Sequence, residues 1–209
     1  RGIFADATVT VLSERRVNYL ADYDTLTDLL NRNSVQTRLS ALTPGKTFGT
    51  CFLIGLDGFK QINDSYGHEI GDALLRSVSE RLKSIYSKDA WAARLGGDEF
   101  FLFLSCNEPA KTSAGTWIGD EICDRRSEPF KIDNFELQVS ASVGIASFPE
   151  DTEHGLELLS LSDLALYEAK NGGRNKAVFF DQEMLERQHH RIAVIERLKS
   201  AVRDGDIKT

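Results

Sequence analysis

No stretch of this sequence has the roughly 18 consecutive apolar residues that a membrane span needs. Its longest apolar run, Phe100 to Leu104, is only as long as a strand. No membrane contact is therefore expected of this part of the chain. An excess of basic charge is missing too: 25 Lys and Arg face 32 Asp and Glu, a net charge of -7. That excludes the basic stripe on which a nucleic-acid polymer would lie, although a few Lys and Arg suffice for a single phosphate group. Cysteine is scarce, and Cys51, Cys106 and Cys123 are an odd set without metal-ligand spacing. Cys51 and Cys106 lie in apolar runs, which predicts buried thiols in a reducing, cytoplasmic setting. There is no internal repeat and no low-complexity tract. The chain opens on Arg1 with neither methionine nor signal peptide, so the expectation is an excised piece with any sensor or membrane anchor upstream of it.

What is present is material for one good core: 209 residues, 41% of them hydrophobic, enough for a domain with a small appendage. Residues Arg1 to Thr10 read as the end of a strand in a preceding module. Val17, Leu20 and Ala21 are spaced as the buried face of a helix over Ser13 to Tyr23. A second helix is predicted from Asn31 to Leu42, stopping before Pro44-Gly45. Thr47 to Leu56, Ala92 to Leu95 and Glu99 to Leu104 are strand candidates, the last two joined by a hairpin at Gly96-Gly97. The stripe Ile70, Leu74, Val78, Leu82 and Ile85 predicts a helix over His68 to Tyr86, and another is expected over Ala110 to Arg126. Glu136 to Phe148 alternates as one half-buried strand. A helix over Leu156 to Asn171 ends at Gly172-Gly173, and Ala177 to Phe180 forms a short last strand. The class is α/β (α+β), with a sheet made partly antiparallel by the hairpin. Beyond it, Met184, Leu185, Ile192, Ile195, Leu198 and Val202 make an apolar face on a helix that reads as interdomain.

The hairpin tip, Arg94-Leu95-Gly96-Gly97-Asp98-Glu99-Phe100, is the most informative segment. Gly96 and Gly97 let backbone approach a bulky anion without obstruction by Cβ. Asp98 and Glu99 repel each other unless a cation neutralises them, and oxygen ligands beside phosphate suit Mg²⁺. An exposed turn, which favours Gly and Asp anyway, is the competing reading.

A longer series of motifs decides between them. Asp24-Thr25-Leu26-Thr27, Asn31-Arg32, Leu56-Asp57-Gly58-Phe59-Lys60, Ile62-Asn63-Asp64, Gly67-His68 and Gly71-Asp72 precede the hairpin. Ser142-Val143-Gly144-Ile145-Ala146, Ala165-Leu166-Tyr167, Ala169-Lys170 and Gly173-Arg174-Asn175 follow it. From about Tyr23 to Phe180 the chain resembles the GGDEF family of diguanylate cyclases. The resemblance implies a palm-like five-stranded sheet wrapped by helices, related to polymerase and nucleotidyl-cyclase cores. It implies that Asn63 and Asp72 read the guanine edge, which offers both acceptors and N–H donors; alone, the two could equally cap a turn or a helix. It places Lys60, Lys170 and Arg174 at the phosphates, and Lys170 and Arg174 are spaced to converge on one polyphosphate around a helix end. It makes Asp98 a metal-binding carboxylate and Glu99 a second acidic catalytic position, with the Leu56 backbone carbonyl completing the metal set. In active members two such domains pair, each with one GTP. The 3′-hydroxyl of each GTP attacks the α-phosphate of the other, giving cyclic-di-GMP and two pyrophosphates with Mg²⁺ or Mn²⁺ as cofactor.

Two departures matter. Active members read Asp-Leu-Asp or Asp-Ile-Asp before Phe-Lys, where this chain has Gly55-Leu56-Asp57. Asp57 faces the same side as Gly55 but lies about 6–7 Å further along the strand, and it already matches the family's other aspartate. Simple replacement of the lost ligand is not expected, so metal binding and turnover should be weak while guanine and phosphate contacts survive. Many members also carry Arg-x-x-Asp upstream of the hairpin as a product-inhibition site; Ser87 and Ala90 stand there, with Asp89 one place off, so feedback inhibition is not expected. Asp28 in place of glycine and Leu30 in place of proline are smaller departures.

The expected organisation is residues 1–22 as the end of a PAS-type sensor module and its signalling helix, 23–180 as the GGDEF domain, and 181–209 as a linker helix. Asp181 through Asp206 resembles the helix leading into an EAL phosphodiesterase domain; a capping helix is the plainer alternative. Three functions follow: a GTP-binding regulator of an adjoining EAL domain, an active cyclase working as a homodimer, or an interaction module that binds no nucleotide.

Overall fold

A computed structural model describes residues 16–17, 19–85, 89–106, 119, 122 and 129–203. The elements are α1 (Arg32–Ser40), β1 (Phe48–Leu56), α2 (Phe59–Tyr66), α3 (His68–Ile85), β2 (Ala90–Gly96), β3 (Glu99–Cys106), β4 (Phe130–Ile132), β5 (Phe135–Leu137), β6 (Ala141–Phe148), α4 (Glu157–Asn171), β7 (Ala177–Phe179) and α5 (Gln182–Arg203). Five strands form one sheet in the order β2-β3-β1-β6-β7. It is antiparallel except where β7 runs parallel to β6. This is the expected palm-like, partly antiparallel sheet.

β1 holds the centre because both its faces are apolar. Phe52, Ile54 and Leu56 point to one side, where Leu74, Leu75, Val78 and Leu82 of α3 cover them. Cys51 and Leu53 point to the other, against Val35 and Leu39 of α1 and Leu158, Leu161, Ala165 and Leu166 of α4. A sheet covered on both faces needs no polar alternation, and β6 is accordingly buried at every residue rather than at every second one. At Gly144 the backbones of β6 and α4 close on each other: a Cβ there would collide with Ser162 O and Leu166 N.

The structure departs from expectation in three places. The strand expected over Glu136 to Phe148 is two: β5 pairs with β4 in a separate two-stranded sheet, and only Ala141–Phe148 joins the main one. Residues 19–22 are helical, but Val17, Leu20 and Ala21 are exposed rather than buried. On α5, Met184 is buried against the α4 side of the core, and Ile192, Ile195, Leu198 and Val202 face solvent. Cys51 is buried as expected, its thiol pushed up to about 12 chiefly by that burial, but Cys106 is only half-buried. The strand expected over Arg1 to Thr10, Cys123 and most of the helix expected over Ala110 to Arg126 lie outside the described residues. No helix among the described residues is long and apolar enough to cross a membrane.

Candidate functional site

The β2–β3 hairpin places Gly97 and Asp98 at its tip, beyond the carboxyl end of β1. Gly96 has φ +139 and Gly97 φ +53, and an added Cβ would meet nothing within 4 Å at either position. Backbone conformation, not crowding, therefore asks for glycine here. The tip is tied down from three sides. Leu56 N–H donates to Asp98 O at 3.2 Å. Arg94 donates through Nε and Nη2 to Gly97 O, at 3.1 and 2.8 Å. Its Nη1 reaches both carboxylate oxygens of Asp24 at 3.2 Å.

Asp24 is in turn fixed by Thr27, whose N–H and hydroxyl donate to Oδ1 at 3.0 and 2.7 Å. The Asp-Thr-Leu-Thr motif is thus a clamp on the hairpin arginine. Burial alone would raise the Asp24 carboxyl, but the Thr27 hydrogen bonds and the Arg94 charge outweigh it and hold it below the ordinary value. A depressed folded-state pKa gives stability that is present above the unfolded value, near pH 4, and is lost as pH falls through the folded one. With side chains only 13% and 22% exposed, the Arg94–Asp24 pair is partly shielded from solvent screening. Asp24→Asn is expected to cost about 1–2 kcal/mol at pH 7. In urea melts repeated down the pH scale, the gap from the parent chain should close below pH 4; a gap constant from pH 7 to pH 3 would contradict this.

The carboxylates themselves are loosely held. Glu99 lies 3.8 Å from Arg32 Nη2, with both side chains well exposed, which is worth little. Gly55 stands opposite Glu99 on one side and Ser142 on the other. Asp57 is engaged elsewhere: it accepts from Ser140 Oγ at 2.9 Å, Ser142 Oγ at 2.8 Å and Asn175 N–H at 3.1 Å. It is a brace between β1, β6 and the turn before β7, with both carboxylate oxygens already occupied.

Above Gly55 lies Lys170, from the last turn of α4: a Cβ at position 55 would sit 2.9 Å from both Cε and Nζ. Among the described residues no group of three or more His, Cys, Asp or Glu is placed to hold a metal ion. Asp98, Glu99 and the Leu56 carbonyl remain as the oxygen donors at this end of the sheet, and the Lys170 ammonium fills the place of a side chain at position 55. This donor set does not fit a divalent cation clamped between strand and hairpin.

The proposed guanine-reading end lies on α2 and α3. Asn63 packs onto Gly71, where any side chain would overlap its Oδ1. That Oδ1 is buried without a hydrogen-bond partner, in the space that the missing Gly71 side chain leaves, one residue from Asp72. Buried polar atoms are nearly always paired, and a guanine N–H would pair this one if the amide turned out of its packing against Gly71. Gly71→Ala is expected to displace the amide and weaken GTP binding by about tenfold or more, with little change in melting temperature; unchanged affinity in calorimetry would contradict it.

Lys60 is exposed in the first turn of α2, and Arg174 lies in the turn after α4, at φ +62 with its N–H on Ala169 O. The structure thus gathers Gly55, Leu56, Asp98, Glu99 and Lys170 at one end of the sheet. It brings Asn63 beside Gly71-Asp72, and leaves Lys60 and Arg174 reaching out from their own turns. Sequence reasoning misses the roles of Asp24, Thr27 and Arg94, and the second buried, unpartnered amide oxygen, that of Asn175. Asn175, at φ +49, shows in the sequence only as part of a motif.

Comparison with known proteins bears on this geometry. The family model described as "Diguanylate cyclase, GGDEF domain" matches residues 21–176. A bifunctional diguanylate cyclase/cyclic di-GMP phosphodiesterase, MucR of Pseudomonas aeruginosa, is 36% identical over 94% of this chain and 29% of its own length. The chain spans less than a third of the curated relatives it matches. Among solved structures, a sensory box/GGDEF family protein of Caulobacter crescentus superposes with TM-score 0.66 at 35% identity, covering 73% of this chain and all of that one. The coiled coil and GGDEF domain of DgcB from the same organism, in complex with c-di-GMP, gives TM-score 0.67 at 27% identity over 84% of this chain and 96% of its own.

Proposed function

The chain belongs to the GGDEF family, domains of cyclic-di-GMP signalling that in general use GTP and a divalent metal, and from that premise we propose that this member binds GTP but condenses it poorly. It serves instead as a regulator of an adjoining EAL phosphodiesterase domain. The observation that carries the reading is Gly55. At the place on β1 facing Glu99 there is no carboxylate but a glycine crossed by Lys170, while the Asn63 acceptor, unpaired and packed on Gly71, remains beside Asp72. Binding groups persist where metal-holding groups are depleted.

Each residue then has a binding task rather than a chemical one. Asn63 and Asp72 orient the base. Lys60, Lys170 and Arg174 neutralise the phosphates, and Gly96 and Gly97 let the hairpin backbone approach them. Clamped by Arg94 and Asp24, the hairpin keeps its shape whether or not turnover occurs. Regulation of a neighbour requires GTP to favour one arrangement of α5 over another. The root of α5 is suited to report on the site, because Met184 packs in the same cluster as Leu166, on the helix that carries Lys170.

The test pairs two measurements on one sample. Calorimetry with GTP should show saturable binding, and incubation with GTP and Mg²⁺ or Mn²⁺ should yield little cyclic-di-GMP. Robust synthesis would make the domain a working cyclase with an altered metal site; absence of binding would leave an interaction module.

A further inference from the structure

Lys170 is placed as more than one of three phosphate-facing cations. It leaves the last turn of α4 beside Leu166, whose Cδ2 lies 3.6 Å from where a Gly55 Cβ would be. Its ammonium therefore reaches the carboxyl end of β1. No ion pair of Lys170 is found among the described residues. Of the acids nearby, Asp57 is taken up by Ser140, Ser142 and Asn175, and Glu99, opposite Gly55 on β3, has its ion pair with Arg32. The ammonium is therefore an uncommitted charge, held where a side chain at position 55 would otherwise stand.

We propose that Lys170 stands in for a metal ion in this domain, so that the triphosphate of GTP is held without a divalent cation. The proposal rests on the GTP-binding reading above and says how that same site takes its ligand. Charge and geometry both support it. An ammonium offers three donors, each able to make a short, charge-assisted bond to a phosphate oxygen. A carboxylate at position 55 would capture that ammonium or recruit a cation; glycine does neither, and it removes the atoms that would crowd Lys170. A divalent ion entering beside the ammonium would meet like charge at a few ångströms, which disfavours it.

The experiment is a calorimetric titration of GTP into the chain, once with excess EDTA and once with MgCl₂ in excess over nucleotide. The expected dissociation constants agree within about threefold. Lys170→Ala should weaken binding in EDTA by about tenfold or more, as loss of a charge-assisted bond does, while Lys170→Arg retains most of the affinity. Circular dichroism of each variant confirms its fold. Gly55→Asp should make binding depend on Mg²⁺. Binding that appears only with Mg²⁺, or Lys170→Ala affinity unchanged in EDTA, overturns this proposal and leaves the GTP-binding reading standing. No binding in either medium overturns both.

Discussion

Replacing Gly55 by Asp should raise cyclic-di-GMP synthesis by about a hundred- to a thousandfold in the presence of Mg²⁺. Restoring about 4 kcal/mol of transition-state stabilisation corresponds to the upper figure, and competition of Lys170 for the new carboxylate trims it. The substitution is sterically feasible. The atoms that its Cβ would press on are the Cε and Nζ of Lys170, the far end of a flexible side chain, with Leu166 at an ordinary 3.6 Å. Lys170 would swing aside, and the introduced carboxylate would face Glu99 across the β1–β3 ladder. The check is product formation by the two proteins at equal concentration, high enough for domains to pair. Equal rates would mean that position 55 does not limit catalysis.

Gly144→Ala should be strongly destabilising, costing on the order of 3 kcal/mol or more. The contact it would violate is backbone: Ser162 O and Leu166 N of α4 lie too close for any Cβ. Side chains can turn away, but a helix backbone moves only by shifting the whole helix. That helix buries Leu158, Leu161, Ala165, Leu166 and Ala169, so a shift of α4 opens the core on that face of the sheet. It would also carry Lys170 off Gly55, so GTP affinity should fall along with the denaturation midpoint. Urea denaturation of Gly144→Ala beside Val143→Ala separates the effects, since Val143 lies on the opposite face. A loss no larger than about 1 kcal/mol at Gly144 would contradict the close packing.

These two glycines show what can be read before the fold is seen. The Gly-Gly-Asp-Glu hairpin, the helix stripe through Leu74, Val78 and Leu82, and the apolar central strand are local patterns, and a one-dimensional sequence carries local patterns well. Gly55 is legible as a lost carboxylate by family resemblance. That Lys170 lies over it is not, because the contact joins β1 to a helix far along the chain. Asp57 is in view as the remaining acid of its motif, but its three donors come from β6 and the flanking turns. The strand split at residues 138–140 escapes the sequence because alternation around Leu137 and Val139 continues in phase with that of β6, so periodicity alone cannot place the break. Asp28, which stands where glycine is usual, adopts φ +57, the left-handed conformation that glycine takes at no cost. The exposed sides of residues 19–22 and of α5 show the limit from the other direction: amphipathic spacing identifies a helix but not what covers its apolar face.

Everything proposed for this domain turns on what stands between the end of β1 and the hairpin when nucleotide is bound. A crystal grown with GTP and Mn²⁺, probed by anomalous scattering at the manganese edge, answers that directly. The expected map has guanine against Asn63 and Asp72, phosphate oxygens on Lys170, and no manganese between Gly55 and Asp98. Two manganese peaks bridging Asp98, Glu99 and the α-phosphate, with Lys170 displaced, would contradict it.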